Sequence, residues 1–397
     1  MRSEKTKLIW VVMMLMIRTQ KVRLYPNRYM KKVLDSLCDY RRYCWNEGLA
    51  TWNDMYDLYT IDPSSPHPSA YIVRNELVAN KADWQYALSA RALQLAVADL
   101  GQAWQNFFDK SQPDWGKPTF KSKKAARQGF KTDRAKIVTG KLRLDKPHGV
   151  KDWYDIRISK HADLSGTLKV VSIYLENGKY WASLPFEVEL EPKLRTGHNS
   201  AVDVNVGHLN YTAGVINTLP KRLRKLYQRI KFYQKRLAHK RVVNGNKATK
   251  GSRYVAMRAK LQRDYRRVAN IQHDIMQKFT TQLVNDYDKI VIEDLSVKAM
   301  QMSHVASKGL QRSMFGYFRQ ILTYKCDWYG KKMILADSQY PSTQRCSKCG
   351  HTKSGNDKIT LKGNAIHQTK HSEYICYSCG AILDRDKNAV ANLLALI

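Results

Sequence analysis

The sequence predicts a multidomain protein of mixed α+β and α/β class, in which a small β-barrel with a helical insertion precedes an α/β domain that carries a metal-binding insertion. Three observations support this fold class: a period-two pattern over residues 135–190, helical periodicity over 28–110 and 220–285, and two Cys-x-x-Cys pairs near the C-terminus. At 397 residues the chain is long enough for two or three domains with cores of their own.

The first half alternates between strand and helix signals. Residues 17–25 have the pattern of one strand, and helical spacing follows over residues 28–110. Residues 111–133 are basic and punctuated by Gly and Pro, which predicts a loop. Within 135–190, Asn177-Gly178 predicts the turn of a β-hairpin. We expect strand 17–25 to join this sheet, so that the helices form an insertion into a small barrel.

The second half predicts the α/β domain. Residues 201–207 (AVDVNVG) and 289–294 (KIVIED) read as short apolar strands, and residues 220–285 read as a long helical hairpin between them. A helix around 313–329 and a strand near 333–336 lead into the cysteine pairs.

The composition indicates a polyanionic partner. Lys plus Arg total 68 against 34 Asp plus Glu, which gives a formal net charge of +34. Such a charge attracts nucleic acid with a strongly salt-dependent affinity, and the 23 Tyr and 9 Trp offer surfaces for base stacking. An anionic membrane is the competing partner, but the charge is spread along the chain rather than placed beside one apolar span. We therefore expect nucleic acid and no membrane.

The apolar stretch Leu8–Ile17 resembles the core of a signal peptide. It is too short to span a bilayer, and no small-residue cleavage site follows it. We expect no targeting segment here and interpret residues 1–15 as an extension ahead of Met16.

The cysteines predict one structural zinc site. Two Cys-x-x-Cys pairs separated by about two dozen residues have the spacing of a four-thiolate Zn²⁺ site. The expected ligands are Cys346, Cys349, Cys376 and Cys379. The remaining cysteines lack any framework spacing, which favours reduced thiols in a cytoplasmic protein; they are Cys38, Cys44 and Cys326.

Six basic residues are candidates for contacts with nucleic-acid phosphates. Three lie in the basic loop, and three lie on the outside of the helical hairpin, where the excess charge has one sign. A solvated surface remains the alternative for both groups. The candidates are Lys121, Lys123 and Lys124 in the loop and Arg224, Lys231 and Lys235 in the hairpin.

Three acidic residues stand at or beside the ends of predicted elements. Asp203 lies in the first strand, Glu293 ends the second, and Asp386 precedes a C-terminal helix. A single carboxylate of this kind is commonly a surface acid, but three of them in a strongly basic chain indicate a shared cation site. Oxygen ligands on rigid elements suit Mg²⁺ or Mn²⁺, and such ions can activate a water for phosphodiester hydrolysis.

The order of these motifs resembles that of the TnpB family, the RNA-guided nucleases of insertion sequences, and of its relatives, the miniature type V CRISPR effectors. RLYPN at 23–27, RRYCWN at 41–46 and PTFKSK at 118–123 are similar to the family's N-terminal signatures. AVDVNVG and IVIEDL are similar to the first two motifs of its RuvC-type, RNase H-like nuclease domain. STQRCSKCG, YICYSCG and LDRDKNAVANL are similar to its zinc ribbon and third motif.

The resemblance implies roles for the acidic residues. Asp203, Glu293 and Asp386 would form the metal-binding catalytic triad. Asp386 is preferred because the family's catalytic Asp directly precedes x-Asn-Ala, and Asp384 would be a supporting or alternative ligand. The family usually has Gly where Asn205 stands, and we expect the backbone geometry to be retained because Asn tolerates unusual backbone angles.

The resemblance also implies a wedge-like β-barrel with a helical recognition insertion, followed by an RNase H-like (RuvC) nuclease domain with an inserted zinc ribbon. The expected segments are an N-terminal extension and first barrel strand (1–26), a helical recognition domain (27–125), the wedge barrel (126–198), the first part of the nuclease domain (199–340), the zinc ribbon (341–381) and the last part of the nuclease domain (382–397).

The function implied is that of a cytoplasmic endonuclease, encoded by an insertion sequence in a prokaryotic cell and associated with the nucleoid when on target. It would bind a guide RNA and cleave double-stranded target DNA beside a short flanking motif. A miniature CRISPR effector, a guided repressor that binds without cutting, and a transposase that joins DNA ends are the alternatives. The intact triad argues against the repressor, and the four groups of family motifs argue against the transposase.

Overall fold

The computed structural model groups into two compact units, Leu15–Glu189 and a second unit formed mainly by Leu190–Ile397. The finer six-segment division expected from the sequence stays a prediction. Most of the expected N-terminal extension lies outside the described residues, which are 14–111, 115–125, 127–159, 165–295, 309, 312–360 and 363–397.

The first unit is built on an eight-stranded sheet that curves into a half-barrel. β1 lies in the middle of this sheet, between β8 and β5, although it is first in the chain. The expectation that the first strand joins the later ones is confirmed. The strand order is β2-β7-β8-β1-β5-β4-β3, with β6 paired to β8. The strands are β1 (Met14–Tyr25), β2 (Arg127–Thr132), β3 (Lys136–Val138), β4 (Lys141–Arg143), β5 (Ile156–Ile158), β6 (Thr167–Leu168), β7 (Val171–Glu176) and β8 (Lys179–Leu190).

Four helices separate β1 from β2, which confirms the helical insertion. Side chains that accept a backbone N–H begin three of them: Asn27, Ser69 and Ser89. Their buried faces share one hydrophobic core with the sheet of this unit. The helices are α1 (Arg28–Ile61), α2 (Ala70–Ala79), α3 (Asp83–Tyr86) and α4 (Ala90–Phe108).

The predicted hairpin turn between β7 and β8 is confirmed. The prediction of a loop over residues 111–133 is wrong for its last residues. Asn177 and Gly178 have φ of 53° and 71°, the positive values that a two-residue hairpin turn requires. Residues 127–132 of the predicted loop form β2, which pairs antiparallel with β7. Only Phe130 and Thr132 of β2 are buried, so its basic composition concealed the alternation of a strand.

The second unit contains a mixed five-stranded sheet of order β11-β10-β9-β12-β13. β9, β10 and β11 are antiparallel neighbours, and β9, β12 and β13 run parallel. β10 and β11 are four residues each and carry few apolar side chains, which is why the sequence did not reveal them. The strands are β9 (Asn199–Asn205), β10 (His208–Tyr211), β11 (Gly214–Asn217), β12 (Lys289–Glu293) and β13 (Lys332–Ala336).

The helices of this unit cover the two faces of the sheet. Side chains of successive strand residues point to opposite faces. Val202 and Ile292 pack in a core with residues of α6 and α7, whereas Ala201 and Val291 pack with residues of α8. The helices are α5 (Lys221–Asn244), α6 (Ser252–Asp286), α7 (Phe315–Tyr329) and α8 (Arg385–Leu394), with a 3₁₀ turn at Gly245–Lys250 between the first two. The helical hairpin predicted over residues 220–285 is confirmed.

None of the helices in the described part of the chain is both long enough and apolar enough to cross a membrane.

An ion pair with a buried lysine joins the residues that directly precede β12 and β13. Lys331 Nζ lies 2.6 Å from Asp288 Oδ1, and the lysine side chain is 1% exposed. The other oxygen of Asp288 accepts the backbone N–H groups of Thr196 and Gly197 ahead of β9. These bonds, with Lys331 first among them, lower the pKa of Asp288. One carboxylate therefore ties together the ends of three neighbouring strands.

We expect Lys331→Met to lower the free energy of unfolding by about 3 kcal/mol, because the carboxylate of Asp288 loses its buried partner. Urea denaturation measures the change. Lys332→Met is the matched control, since Lys332 is the exposed neighbour and makes no ion pair among the described residues. Equal effects of the two substitutions would contradict the role of the pair.

Candidate functional site

Asp203 and Glu293 lie side by side on two parallel strands. The last registered pair of β9 and β12 is Val202 with Ile292, and the two acids are the next residues along each strand. Alternation places Asp203 on the same face as Ala201 and Glu293 on the same face as Val291. This is the face that α8 covers. The sequence-predicted pair is thus brought together by strand register.

Asp386 reaches the same face from the first turn of α8. Its charge acts directly on Asp203, as does the charge of Glu293. Asp384 has a different position: it is the N-cap of α8, and its Oδ1 accepts the backbone N–H of Lys387 at 2.9 Å. The structure therefore groups Asp386 with the two strand acids and uses Asp384 to begin the helix.

The charges of the acidic cluster are only partly offset by their surroundings. Asp203 is 3% exposed, and burial together with the charges of Glu293 and Asp386 raises its pKa to about 7. Burial also raises the pKa of Glu293, although the hydroxyl of Ser342 donates a hydrogen bond to Oε1 and partly offsets the effect. Each shift means that a negative charge at this face is costly without a counter-charge.

No lysine or arginine in the described part of the chain forms an ion pair with these three carboxylates, in a protein that has two basic residues for every acidic one. Amides and a hydroxyl donate hydrogen bonds to them, and the imidazole Nε2 of His208 lies 3.2 Å from Asp386 Oδ2. Asn205 donates to Asp203, Ser342 donates to Glu293, and Asn210 donates to Asp386. Carboxylate oxygens without a lysine or arginine partner are ligands that hard divalent cations prefer, although the oxygens of these three acids do not all lie within 4.8 Å of one another in this structure.

The four predicted cysteines converge on one point. Within the described residues they form the one group of three or more His, Cys, Asp or Glu whose ligand atoms all lie within 4.8 Å of one another. Cys349 Sγ lies 3.5 Å from Cys376 Sγ, and Cys346 Sγ lies 3.8 Å from Cys379 Sγ. Four sulfur atoms at such separations suit a tetrahedral zinc ion. The cluster predicted from the spacing is confirmed, and it could hold zinc.

The two cysteine pairs are built as matching turns. Gly350 N donates to Cys346 O and Gly380 N donates to Cys376 O, each at 2.9 Å. Both glycines have positive φ, 80° and 69°, which closes each turn behind the second cysteine. Burial alone would raise the pKa of Cys376, but the backbone N–H groups of Cys379 and Ser378, together with the thiols of Cys349 and Cys379, lower it. The thiolate is the form of cysteine that binds metal.

Asparagine side chains of α8 connect the cysteine cluster to the acidic cluster. Asn388 Nδ2 donates to Arg345 O at 2.7 Å, and Asn388 Oδ1 accepts the backbone N–H of Ser347. Asn392 Nδ2 donates to Ser342 O at 2.8 Å, and Ser342 in turn holds Glu293. The helix that carries Asp386 is therefore fastened to the first cysteine turn and to the residue that contacts Glu293.

The six basic residues predicted to contact phosphates differ in their surroundings. Their proposed role in binding nucleic acid is not tested by the fold. Lys121 Nζ lies 3.1 Å from the ring centroid of Trp45, and burial followed by the charge of Arg41 lowers its pKa to about 7. Lys123 Nζ lies 2.6 Å from Asp39 Oδ2. Arg224 donates to the carbonyl of Leu219. Lys124, Lys231 and Lys235 are exposed.

Sequence reasoning missed His208 and Asn210. Both lie on β10, and His208 Nε2 and Asn210 Nδ2 approach Asp386 Oδ2 at 3.2 and 3.0 Å. The signal that was available is local: His208 and Asn210 follow AVDVNVG at a spacing of two, the period of a strand that returns beside the first one.

We expect Cys349→Ser to lose the zinc that the purified wild-type protein carries at about one ion per chain, because three thiolates bind zinc far more weakly than four. Inductively coupled plasma mass spectrometry measures the content. Cys326→Ala is the control, because it removes a buried thiol outside the cluster. Wild-type protein without zinc after purification free of chelators would contradict the assignment.

We expect Asp203→Asn to stabilise the metal-free protein increasingly as the pH rises from about 4 to 7. The pKa of Asp203 is raised in the folded state to about 7 from an ordinary value of 3.8. Ionisation above 3.8 therefore favours the unfolded wild type until the folded carboxyl also ionises. The measurement is the difference in Tm between variant and wild type in EDTA. Asp288→Asn should give a difference of opposite sign, since the pKa of Asp288 is lowered. A difference in Tm between Asp203→Asn and wild type that does not change with pH would contradict the raised pKa of Asp203.

Three family models match separate segments of the chain. They are described as "Helix-turn-helix domain" for residues 13–59, "Probable transposase" for residues 183–304 and "Cas12f1-like, TNB domain" for residues 315–393. The first segment has no helix–turn–helix in its described residues, because strand β1 leads into one continuous helix, α1. The third segment contains the four cysteines and Asp386.

Similar proteins cover most of the chain. A protein of Streptomyces pristinaespiralis named "Putative RNA-guided DNA endonuclease" is 28% identical over 78% of this chain and 71% of its own length. "Putative RNA-guided DNA endonuclease InsQ" of Escherichia coli (strain K12) is 26% identical over 89% of this chain and 86% of its own length. A chain in the solved structure titled "Cryo-EM structure of the Cas12f1-sgRNA-target DNA complex" has a TM-score of 0.53, covering 96% of this chain and 98% of that one. Its sequence identity of 12% limits the likeness to the fold.

The matched segments contain two of the three N-terminal signatures, both strand motifs and the cysteine-containing motifs that suggested the family from the sequence, whereas PTFKSK at 118–123 lies outside them. This chain belongs to the TnpB family.

Proposed function

We propose that this protein is an RNA-guided DNA endonuclease encoded by an insertion sequence. It binds a guide RNA and cleaves double-stranded DNA beside a short flanking motif. The observation that carries the proposal is the group formed by Asp203, Glu293 and Asp386, which makes no ion pair with lysine or arginine among the described residues of a chain with net charge +34. Relatives that cover most of the chain bear the name of RNA-guided DNA endonuclease, which supports the choice of substrate.

The second unit is the proposed nuclease domain, of RuvC type and RNase H-like fold. Three antiparallel strands extended by two parallel strands form the sheet arrangement expected of that fold. Asp203 and Glu293 stand at adjacent positions on its neighbouring parallel strands, β9 and β12. The insertion with the four cysteines is the proposed zinc ribbon, and the helices and half-barrel of the first unit are the proposed recognition and wedge domains. We place this nuclease in the cytoplasm of a prokaryotic cell.

Asp203, Glu293 and Asp386 would hold Mg²⁺ or Mn²⁺, since their oxygens are hard ligands and their mutual repulsion calls for a cation. When bound, such ions activate a water molecule and stabilise the leaving oxygen of the phosphodiester. The protein supplies the rigid frame: two strands in register fix Asp203 and Glu293, and α8 fixes Asp386. The cation also neutralises carboxylates that would otherwise repel the DNA backbone.

Basic surfaces of both units are proposed to bind the nucleic-acid backbone. α5 contains ten Lys or Arg residues and no acidic residue, and Arg224, Lys231 and Lys235 lie on its exposed side. Contacts of this kind add affinity without reading the sequence. Pairing between guide and target supplies sequence specificity, so the protein needs to recognise only duplex shape and the flanking motif.

The test compares two neighbouring acids in a plasmid-cleavage assay, using protein purified with the RNA it retains from cells that carry its own locus. We expect Asp386→Asn to reduce cleavage at least a hundredfold while guide-dependent DNA binding persists. Asp384→Asn should cut at nearly the wild-type rate, because Asn is as good a helix N-cap as Asp. The pair separates loss of a metal ligand from loss of a negative charge near the site.

Three outcomes would overturn the proposal or one of its parts. Undiminished cutting by Asp386→Asn would remove Asp386 from the triad. Random cellular RNA in place of one dominant RNA with a constant scaffold would exclude the guide. Wild-type protein that binds its target through a guide but never cuts it would make the chain a guided repressor.

A further inference from the structure

The β9–β10 hairpin presents four polar side chains on one face of the sheet. Asp203 pairs with Asn210 and Asn205 pairs with His208 in the antiparallel register, so that all four point toward α8. The even-numbered neighbours on β9, Val202 and Val204, point into the core on the opposite face. This patch is therefore a product of register rather than of one continuous motif.

Each carboxylate of the proposed triad has one oxygen occupied and one oxygen free of hydrogen bonds within the described residues. Asp203 accepts Asn205 Nδ2 on Oδ2 at 2.6 Å. Asp386 accepts Asn210 Nδ2 on Oδ2 at 3.0 Å, and His208 Nε2 lies 3.2 Å from the same oxygen. Glu293 accepts the hydroxyl of Ser342 on Oε1. The free oxygens are Asp203 Oδ1, Asp386 Oδ1 and Glu293 Oε2.

We propose that Asn205, His208 and Asn210 are positioning residues that hold Asp203 and Asp386 by one oxygen each and leave the other oxygen for the divalent cation. This inference rests on the proposed metal-dependent nuclease function and adds to it the residues that orient the ligands. Asn205 acts on the acid of its own strand, and His208 with Asn210 acts on the acid of the distant helix.

The chemistry of the donors explains why amides and an imidazole serve here. A lysine or arginine would orient the carboxylates too, but its charge would compete with the cation for them. The neutral amide N–H groups of Asn205 and Asn210 fix the planes of the carboxylates while leaving their charge for the metal. Such outer contacts to metal ligands commonly contribute a factor of about 10 to 100 in metal affinity or activity.

The hairpin that carries these donors is itself fixed. Only Val206 and Gly207 separate β9 from β10, and Gly207 has φ of 94°, which a side-chain-bearing residue rarely adopts. The carbonyl of Gly207 accepts the backbone N–H of Thr218 at 3.0 Å. Asn205 and His208 therefore flank a short anchored turn, so their donor groups are presented with little freedom.

The experiment titrates Mn²⁺ into the zinc-loaded full-length chain, without nucleic acid, by isothermal calorimetry. We expect Asn205→Ala and the double variant His208→Ala with Asn210→Ala each to raise the Mn²⁺ dissociation constant about tenfold. His208→Gln should recover most of the affinity lost in His208→Ala, since Gln can also donate an N–H to Asp386. Melting curves in EDTA accompany each titration.

Thr212→Val is the matched control. Its hydroxyl oxygen accepts the backbone N–H of Ala201 at 3.1 Å, near the opposite end of the same two strands and away from the carboxylates. We expect this variant to lower Tm without changing Mn²⁺ affinity. Lower Tm with unchanged Mn²⁺ affinity in the Asn205, His208 and Asn210 variants as well would show a merely structural role and overturn the inference.

Asp203→Ala separates this inference from the proposed function. A wild-type Mn²⁺ site that Asp203→Ala removes but the three positioning residues do not influence would overturn the inference and leave the triad intact. A wild type with no Mn²⁺ site sensitive to Asp203→Ala would overturn the proposed metal site, and the positioning role with it.

Discussion

The docking of α8 on the five-stranded sheet is the interaction on which the candidate site depends. Val390 and Leu393 pack on Ala201 and Val291, and this contact brings Asp386 over the face that bears Asp203 and Glu293. The apolar contact supplies the attraction, because burial of nonpolar surface is favourable and has no direction. The orientation of α8 is fixed by Asn388 and Asn392, whose side-chain amides donate hydrogen bonds to backbone carbonyls next to the first cysteine turn. The acidic cluster exists only while this helix is in place.

The chain places negative charge where its own basic residues do not neutralise it. Burial and repulsion raise the pKa of Asp203 to about 7, and the neighbouring donors are amides, an imidazole and a hydroxyl. In contrast, Asp288, which directly precedes β12 of the same sheet, has a buried lysine partner that lowers its pKa. Two aspartates of one sheet thus have opposite electrostatic roles: the charge of Asp288 stabilises the fold, and the charge of Asp203 is costly where it is buried.

The cysteine cluster and the acidic cluster are mechanically connected. Ser342 holds Glu293 by its hydroxyl and accepts Asn392 by its carbonyl, four residues before Cys346. Ordering of the cysteine insertion by a metal would therefore also order Ser342, which contacts Glu293, and the helix that carries Asp386. The spacing between the second cysteine pair and Asp386 reflects this connection: a short strand, Ile382–Asp384, leads directly into α8.

The sequence by itself determined the elements with strong periodicity and the ligands with strict spacing. The insertion of helices after β1, the long helical hairpin, the strands of Asp203 and Glu293 and the four-cysteine cluster all follow from local patterns. Only the tertiary structure decided the features that depend on the pairing of strands. β2 was hidden by its basic composition, and β10 was too short and polar to stand out. Helix capping by Asp384 distinguishes it from Asp386, which lies over the sheet. His208 and Asn210 come next to the acids only through the antiparallel register of β10 with β9. Register and docking depend on contacts between residues far apart in the chain, which no local pattern encodes.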